Sequence, residues 1–176
     1  MTKQQHTLSV LVENEFGVLA RVAGLFSGRG FNIESLSVAE TMDPTVSRIT
    51  LVTRGDDQVL EQIEKQLYKL IAVIKLTDFT GTEHVERELV LIKVAADERT
   101  RGEVMNIVDI FRGKIIDVSH RSYVIEVTGT EDKIHALIEL LKPVGIKEIV
   151  RTGKVAMFRG TRLLAADGKE KERAAS

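Results

Sequence analysis

Thr7-Leu8-Ser9-Val10-Leu11-Val12 runs directly into Glu13-Asn14-Glu15-Phe16-Gly17, and that turn into Val18-Leu19-Ala20-Arg21-Val22. In the first piece Leu8, Val10 and Val12 fall on every second residue, the period of a strand with one face buried. After Gly17 the apolar residues Val18, Val22 and Leu25, with Leu19 and Phe26 beside them, follow the spacing of one helix face. The stretch therefore reads as strand, turn and helix. Gly28 and Gly30 supply a natural stop for that helix. Beyond them, Phe31 to Val38 alternates again, with a slip near Ser35 that a bulge would absorb. Asp43-Pro44-Thr45 marks a turn, and Val46 to Thr53 is a further strand. Asp56-Asp57 stands where the first turn of a helix favours acids. That helix carries Leu60, Ile63, Leu67 and Leu70 on one face, and Ile71 to Phe79 closes the unit as a strand.

Residues 6–80 thus spell strand, helix, strand, strand, helix, strand, and the order then repeats. Leu89 to Val94 is a strand, and Val104, Ile107, Val108 and Phe111 mark a helix. Lys114 to Ser119 and Ser122 to Thr128 pair around His120-Arg121. Ile134, Leu137, Ile138 and Leu141 mark a second helix ended by Pro143, and Ile146 to Arg151 is the last strand. Leu51-Val52-Thr53-Arg54-Gly55-Asp56-Asp57 and Ile125-Glu126-Val127-Thr128-Gly129-Thr130-Glu131-Asp132 share a strand end, a glycine turn and acids opening a helix. This supports a duplication. The expected fold class is α+β, with two ferredoxin-like βαββαβ domains, each two helices on one face of a four-stranded antiparallel sheet. The expected boundaries are 1–80 for the first domain, 81–84 for a linker and 85–163 for the second domain. From residue 164 to 176 the chain carries no apolar stripe and reads as a disordered tail.

Composition narrows the function classes. Lysine and arginine number 25 against 26 acids, so the total carries none of the basic excess that nucleic-acid binding favours. There is no cysteine, which removes disulfides, thiol catalysis and cysteine-based metal sites. No apolar run approaches the roughly 20 residues that cross a bilayer, and the first six residues lack the apolar stretch of a secretion signal. A cytoplasmic protein that touches neither membrane nor nucleic acid is expected. His6, His84, His120 and His135 are scattered without ligand spacing, so no metal site is expected, and they read as surface or hydrogen-bonded residues. There is no Gly-x-Ser-x-Gly elbow and no phosphate-loop pattern after Gly28-Arg29-Gly30. No catalytic residue is assigned.

Two stretches carry candidate binding chemistry. A strand-to-helix turn such as Glu13–Leu19 points bare backbone N–H groups outward at the positive end of the helix dipole, a geometry suited to an anion. Asn14 can cap the helix or take left-handed angles, and Gly17 lets backbone approach a ligand without a Cβ. An ordinary helix cap explains the same residues. In Arg29-Gly30-Phe31-Asn32-Ile33-Glu34-Ser35-Leu36 the amide of Asn32 opens a strand, where it can donate to a carboxylate and accept from an ammonium group. A simple turn asparagine explains it too.

Glu13-Asn14-Glu15-Phe16-Gly17-Val18-Leu19-Ala20-Arg21-Val22, followed by Gly30-Phe31-Asn32-Ile33-Glu34-Ser35-Leu36, resembles the ACT domain of acetolactate synthase small subunits. The likeness continues through Ile49-Thr50-Leu51-Val52, Leu140-Leu141-Lys142-Pro143-Val144-Gly145-Ile146-Lys147-Glu148, Arg151-Thr152-Gly153 and Arg159-Gly160, and spans roughly residues 6–163. It implies a non-catalytic regulatory subunit that pairs as a homodimer and partners the large, catalytic subunit. It also implies stimulation of that subunit and feedback inhibition by valine, leucine or isoleucine bound between two ACT domains. Asn14, Gly17 and Asn32 match the family's binding positions, with Val18, Leu19 and Ile33 as their neighbours. Thiamine diphosphate, magnesium and flavin (FAD) are implied for the large subunit, and no cofactor for this chain. The second domain is implied to help dimerise and to engage the catalytic subunit. Two methyl-sized groups separate valine from alanine. At about 0.8 kcal/mol each when buried, they give roughly fifteen-fold discrimination, so overlap among the branched-chain amino acids is expected.

The same topology serves other ends, and the residues argue against each. RNA recognition needs aromatic side chains on central strands, and Arg48-Ile49-Thr50-Leu51-Val52-Thr53 has none. An acylphosphatase-like hydrolase wants an arginine in the first loop, where Glu13 and Glu15 would repel phosphate. A transcriptional regulator would need a helix-turn-helix, and no segment remains for one.

Overall fold

The structure of the chain, a computed structural model, describes residues 4–164. It divides into two compact units, one formed by residues up to Val85 together with the stretch from Lys154, the other by Glu86–Gly153.

In the first unit, β1 (Gln4–Glu13), α1 (Val18–Ser27), β2 (Ile33–Glu40), β3 (Val46–Gly55), α2 (Asp57–Leu67) and β4 (Val73–Asp78) follow one another. The antiparallel sheet has the order β2-β3-β1-β4, so β2 and β4 are its edges. Leu8, Val10 and Val12 of β1 and Ile49 and Leu51 of β3 meet Val18, Val22 and Phe26 of α1 and Ile63 and Leu67 of α2 in one buried core. The alternation seen in the sequence is therefore the inward face of the sheet. Asp56 caps α2, its side chain accepting from the Val59 amide at 2.9 Å. The expected slip near Ser35 is a register shift in β2 between Ile33 and Ser35.

The stretch after Gly153 behaves differently from the sequence expectation, which placed residues 85–163 in one domain. Residues 154–164, including β9 (Val155–Phe158), belong to the first unit. Ala156, Phe158 and Leu164 form a second buried cluster with Leu11, Val46 and Phe79. The rings of Phe79 and Phe158 meet edge to face at 4.9 Å between centroids. The Arg48 guanidinium donates to the carbonyl of Leu164 at 3.1 Å, and the Lys154 amide donates to Ser35 Oγ at 3.0 Å. The helix-free side of the sheet carries Leu11, and the returning stretch adds Ala156, Phe158 and Leu164 to the residues that bury it. Leu164 is buried rather than part of a loose tail; the rest of the expected tail lies outside the described residues.

The second unit repeats the order with β5 (His84–Ala95), α3 (Arg101–Ile110), β6 (Lys114–Val118), β7 (Ser122–Gly129), α4 (Glu131–Leu141), a short 3-10 turn (Lys142–Val144) and β8 (Ile146–Arg151). Its sheet order is β6-β7-β5-β8, the counterpart of the first. Val90, Ile92, Val94, Ile125 and Val127 pack under Val104, Val108, Ile134 and Leu137. The fold is thus α+β with two βαββαβ sandwiches. At the base of this sheet Glu88, almost fully buried, receives Arg151 through two hydrogen bonds of 2.9 and 2.5 Å. That fork holds the guanidinium proton even more firmly than usual.

Candidate functional site

The turn between β1 and α1 is built by two backbone features. Asn14 donates its amide N–H to the Thr45 carbonyl at 2.7 Å, tying the turn to the β2–β3 hairpin. Gly17 then takes φ 79, a left-handed angle that favours glycine, and serves as the N-cap of α1. No side chain caps the helix, and its first turn holds no acid. The N–H groups of Phe16, Gly17, Leu19 and Ala20 meet no acceptor among the described residues. A Cβ placed on Gly17 would meet nothing within 4 Å, so the approach to these amides is open. Four bare donors at the positive end of a ten-residue helix make a place where a carboxylate is stabilised, by about 0.3–1 kcal/mol from the dipole at a surface.

Of the two roles the sequence offered Asn14, helix cap or left-handed residue, the structure shows neither. Its side chain reaches back across the turn. Nδ2 donates to Glu40 Oε1 at 3.1 Å and to the Pro44 carbonyl at 2.9 Å. Two acceptors fix which end of the amide is NH2, and leave Oδ1 as the atom available to a donor. Beside Asn14, Glu13, Glu15, Pro44, Thr45, Val46 and Ile74 line a depression of about 410 Å³. Of the expected site residues, Asn14 alone lines it. Asp43 holds the hairpin in shape, accepting from both the amide and the hydroxyl of Thr45, and those bonds keep its carboxyl below the usual range.

The other expected residues divide. Val18 is buried in the core, so its side chain cannot touch a ligand. Leu19 and Phe16 are exposed, Phe16 completely. Asn32 precedes β2, its carbonyl accepting from Thr53 Oγ1 at 2.7 Å, and Ile33 packs against the core as the first residue of that strand. Ile33 pairs with Thr53, whereas Glu40, next to Asn14, pairs with Ser47. Asn32 and Ile33 therefore stand at one end of β2, and Asn14 and Gly17 at the other, a strand length on the order of 20 Å apart. One protomer does not bring the two groups together. The hairpin residues Glu40, Pro44 and Thr45 were not singled out for binding from the sequence; Asp43-Pro44-Thr45 signalled a turn and nothing more.

Elsewhere, His6 is buried in the first unit, with Nδ1 3.4 Å from Asp78 Oδ2 and 3.2 Å from Thr80 Oγ1, and with Nε2 lacking a partner. Its buried Nε2 departs from the expectation of a surface or satisfied residue. Among the described residues no group of three or more histidines or carboxylates is placed to hold a metal ion. No helix of the described residues is long and apolar enough to cross a membrane.

Comparison with known proteins places these features. Residues 8–75 match the family described as the small-subunit-like ACT domain of AHAS, and residues 87–160 match the family described as the small subunit of acetolactate synthase. The acetolactate synthase small subunit of Aquifex aeolicus is 58% identical over 157 residues, covering 89% of this chain and 82% of that protein. The probable acetolactate synthase small subunit of Archaeoglobus fulgidus is 57% identical, covering 90% and 99% respectively. The crystal structure of the small subunit from Thermotoga maritima superposes with a TM-score of 0.82 at 48% identity, covering 90% of this chain and 99% of that one. The strand-to-helix turn with its bare amides lies inside the matched ACT region, and the matches together span nearly the whole described chain: it belongs to the family of acetolactate synthase small subunits.

Proposed function

We propose that this chain is the regulatory partner of a large acetolactate synthase subunit, and that a branched-chain amino acid binds where two of its ACT domains meet. One observation carries the reading. The bare amides around Gly17 and the amide of Asn32 lie at opposite ends of β2, and β2 is an edge strand. Two copies joined along that edge by a two-fold axis run their β2 strands antiparallel. The Glu40 end of one then lies beside the Ile33 end of the other. Each such pair holds two equivalent sites, each with the helix start of one copy and Asn32 of its mate.

The chemistry suits a zwitterion. The amides of Phe16, Gly17, Leu19 and Ala20 take the carboxylate. Asn14 Oδ1 and the mate's Asn32 accept from the ammonium group. The exposed side chains of Leu19 and Phe16 provide apolar surface for an aliphatic side chain. Binding favours one quaternary arrangement over another, and a coupling of about 1–3 kcal/mol is enough to change the rate of the partner. The chain performs no reaction step itself. Thiamine diphosphate, magnesium and flavin serve the large subunit, which joins two pyruvates or pyruvate with 2-oxobutyrate.

Reconstitution tests this. The purified chain alone makes no acetolactate; added to its large subunit it raises the rate and makes it sensitive to millimolar valine. The Asn14→Ala variant still stimulates but responds to valine only at concentrations at least about tenfold higher. A reconstituted rate that valine, leucine and isoleucine all leave unchanged removes the effector site from the proposal. No stimulation by the wild-type chain removes the partnership.

A further inference from the structure

We infer that Glu40 is a positioning residue for the effector: it fixes the Asn14 amide so that Oδ1, and not NH2, faces the ligand. The inference rests on the effector site proposed above. Asn14 has no partner within its own turn for its side chain. It is held from the hairpin, by Glu40 Oε1 at 3.1 Å and by the Pro44 carbonyl at 2.9 Å. Both acceptors demand hydrogens, so both hydrogens of Nδ2 are occupied and the amide cannot turn over without losing them. Removing Glu40 leaves one acceptor and a side chain free to rotate. An amide that presents NH2 instead would oppose an ammonium group.

Glu40 is also the last residue of β2. Pairing of β2 with a second copy would fix its backbone and so its carboxylate. The hydrogen bond to Asn14 then passes that order on to the ligand-bearing turn, two strands away in the sheet. Pairing and effector binding are linked through one side chain. The sequence gives no sign of this, because 26 residues separate the two partners.

Calorimetry with L-valine on the full-length chain separates the possibilities, using wild type, Glu40→Ala, Glu40→Gln, Asn14→Ala and the double variant Asn14→Ala/Glu40→Ala. Thermal midpoints of all five are measured alongside. Glu40→Ala is expected to weaken valine about five- to tenfold with an unchanged midpoint. Glu40→Gln keeps a carbonyl acceptor and is expected to restore most of the affinity. In the Asn14→Ala background, loss of Glu40 is expected to add nothing. Equal loss in Glu40→Ala and Glu40→Gln would overturn the inference, since charge rather than orientation would then matter. So would unchanged affinity in Glu40→Ala, or additive losses in the double variant. Absence of valine, leucine and isoleucine binding by wild type would instead overturn the effector site, and this inference with it.

Discussion

Glu64 shows how little of a residue's chemistry resides in its own letter. It sits on α2 between Ile63 and Lys65. In the structure it is half-buried, and burial, with Asp78 and Glu61 adding repulsion and His6 opposing them, raises its carboxyl above the ordinary value. An acid raised on folding favours the protonated form in the native state. Its contribution to stability is full below the unfolded-state value and is lost as pH rises through the raised one. Glu64→Gln, which cannot ionise, is therefore expected to match wild type in thermal midpoint near pH 4 and to exceed it at pH 7. A gap that is constant with pH would show that burial of this carboxylate has no cost. Asn14 is the opposite case. Its place in the strand-to-helix turn made it a candidate, and the left-handed angle offered for it is taken instead by Gly17 three residues later. What the side chain binds was not legible, because Glu40 and Pro44 come from a hairpin whose approach depends on how β1 and β3 register.

At the scale of elements, periodicity sufficed wherever an element has one buried face. The switch from alternate residues in Leu8, Val10 and Val12 to helical spacing in Val18 and Val22 marks β1 and α1 to within a few residues. β9 escaped notice because Val155-Ala156-Met157-Phe158 is four residues long and apolar at each one, too short to show a period. Its inward residues are Ala156 and Phe158, and their partners Leu11 and Phe79 sit more than seventy residues earlier. The stretch from Lys154 is accordingly a structural part of the ACT unit. Phe158→Ala is expected to destabilise the first unit by about 3 kcal/mol, the usual cost of truncating a buried aromatic ring. Urea unfolding followed by a probe in that unit measures it. A cost under about 1 kcal/mol would mean that this stretch merely rests on the sheet.

For the molecule as a whole, the duplication was legible in two strand-turn-helix segments, Leu51–Asp57 and Ile125–Asp132. Both occupy the same place, the end of the third strand and the start of the second helix of their unit. The candidate site was legible only as a set of residue types. Its division between the two ends of β2 was not, because sequence spacing carries no information on which edge of a sheet a strand will occupy. That division gives the proposed effector site a property that can be read directly. If each site takes Asn14 from one copy and Asn32 from the other, two defective chains can repair one another. Asn14→Ala and Asn32→Ala are each expected to weaken valine binding at least about tenfold when alone. A mixed pair has one doubly defective site and one site with both asparagines intact.

Calorimetry of L-valine on a co-refolded equimolar mixture of these two variants is the decisive measurement. Random pairing predicts that valine binding returns with wild-type affinity at about a quarter of the wild-type number of sites. A mixture that binds valine only as weakly as its two parents would contradict a site shared between copies.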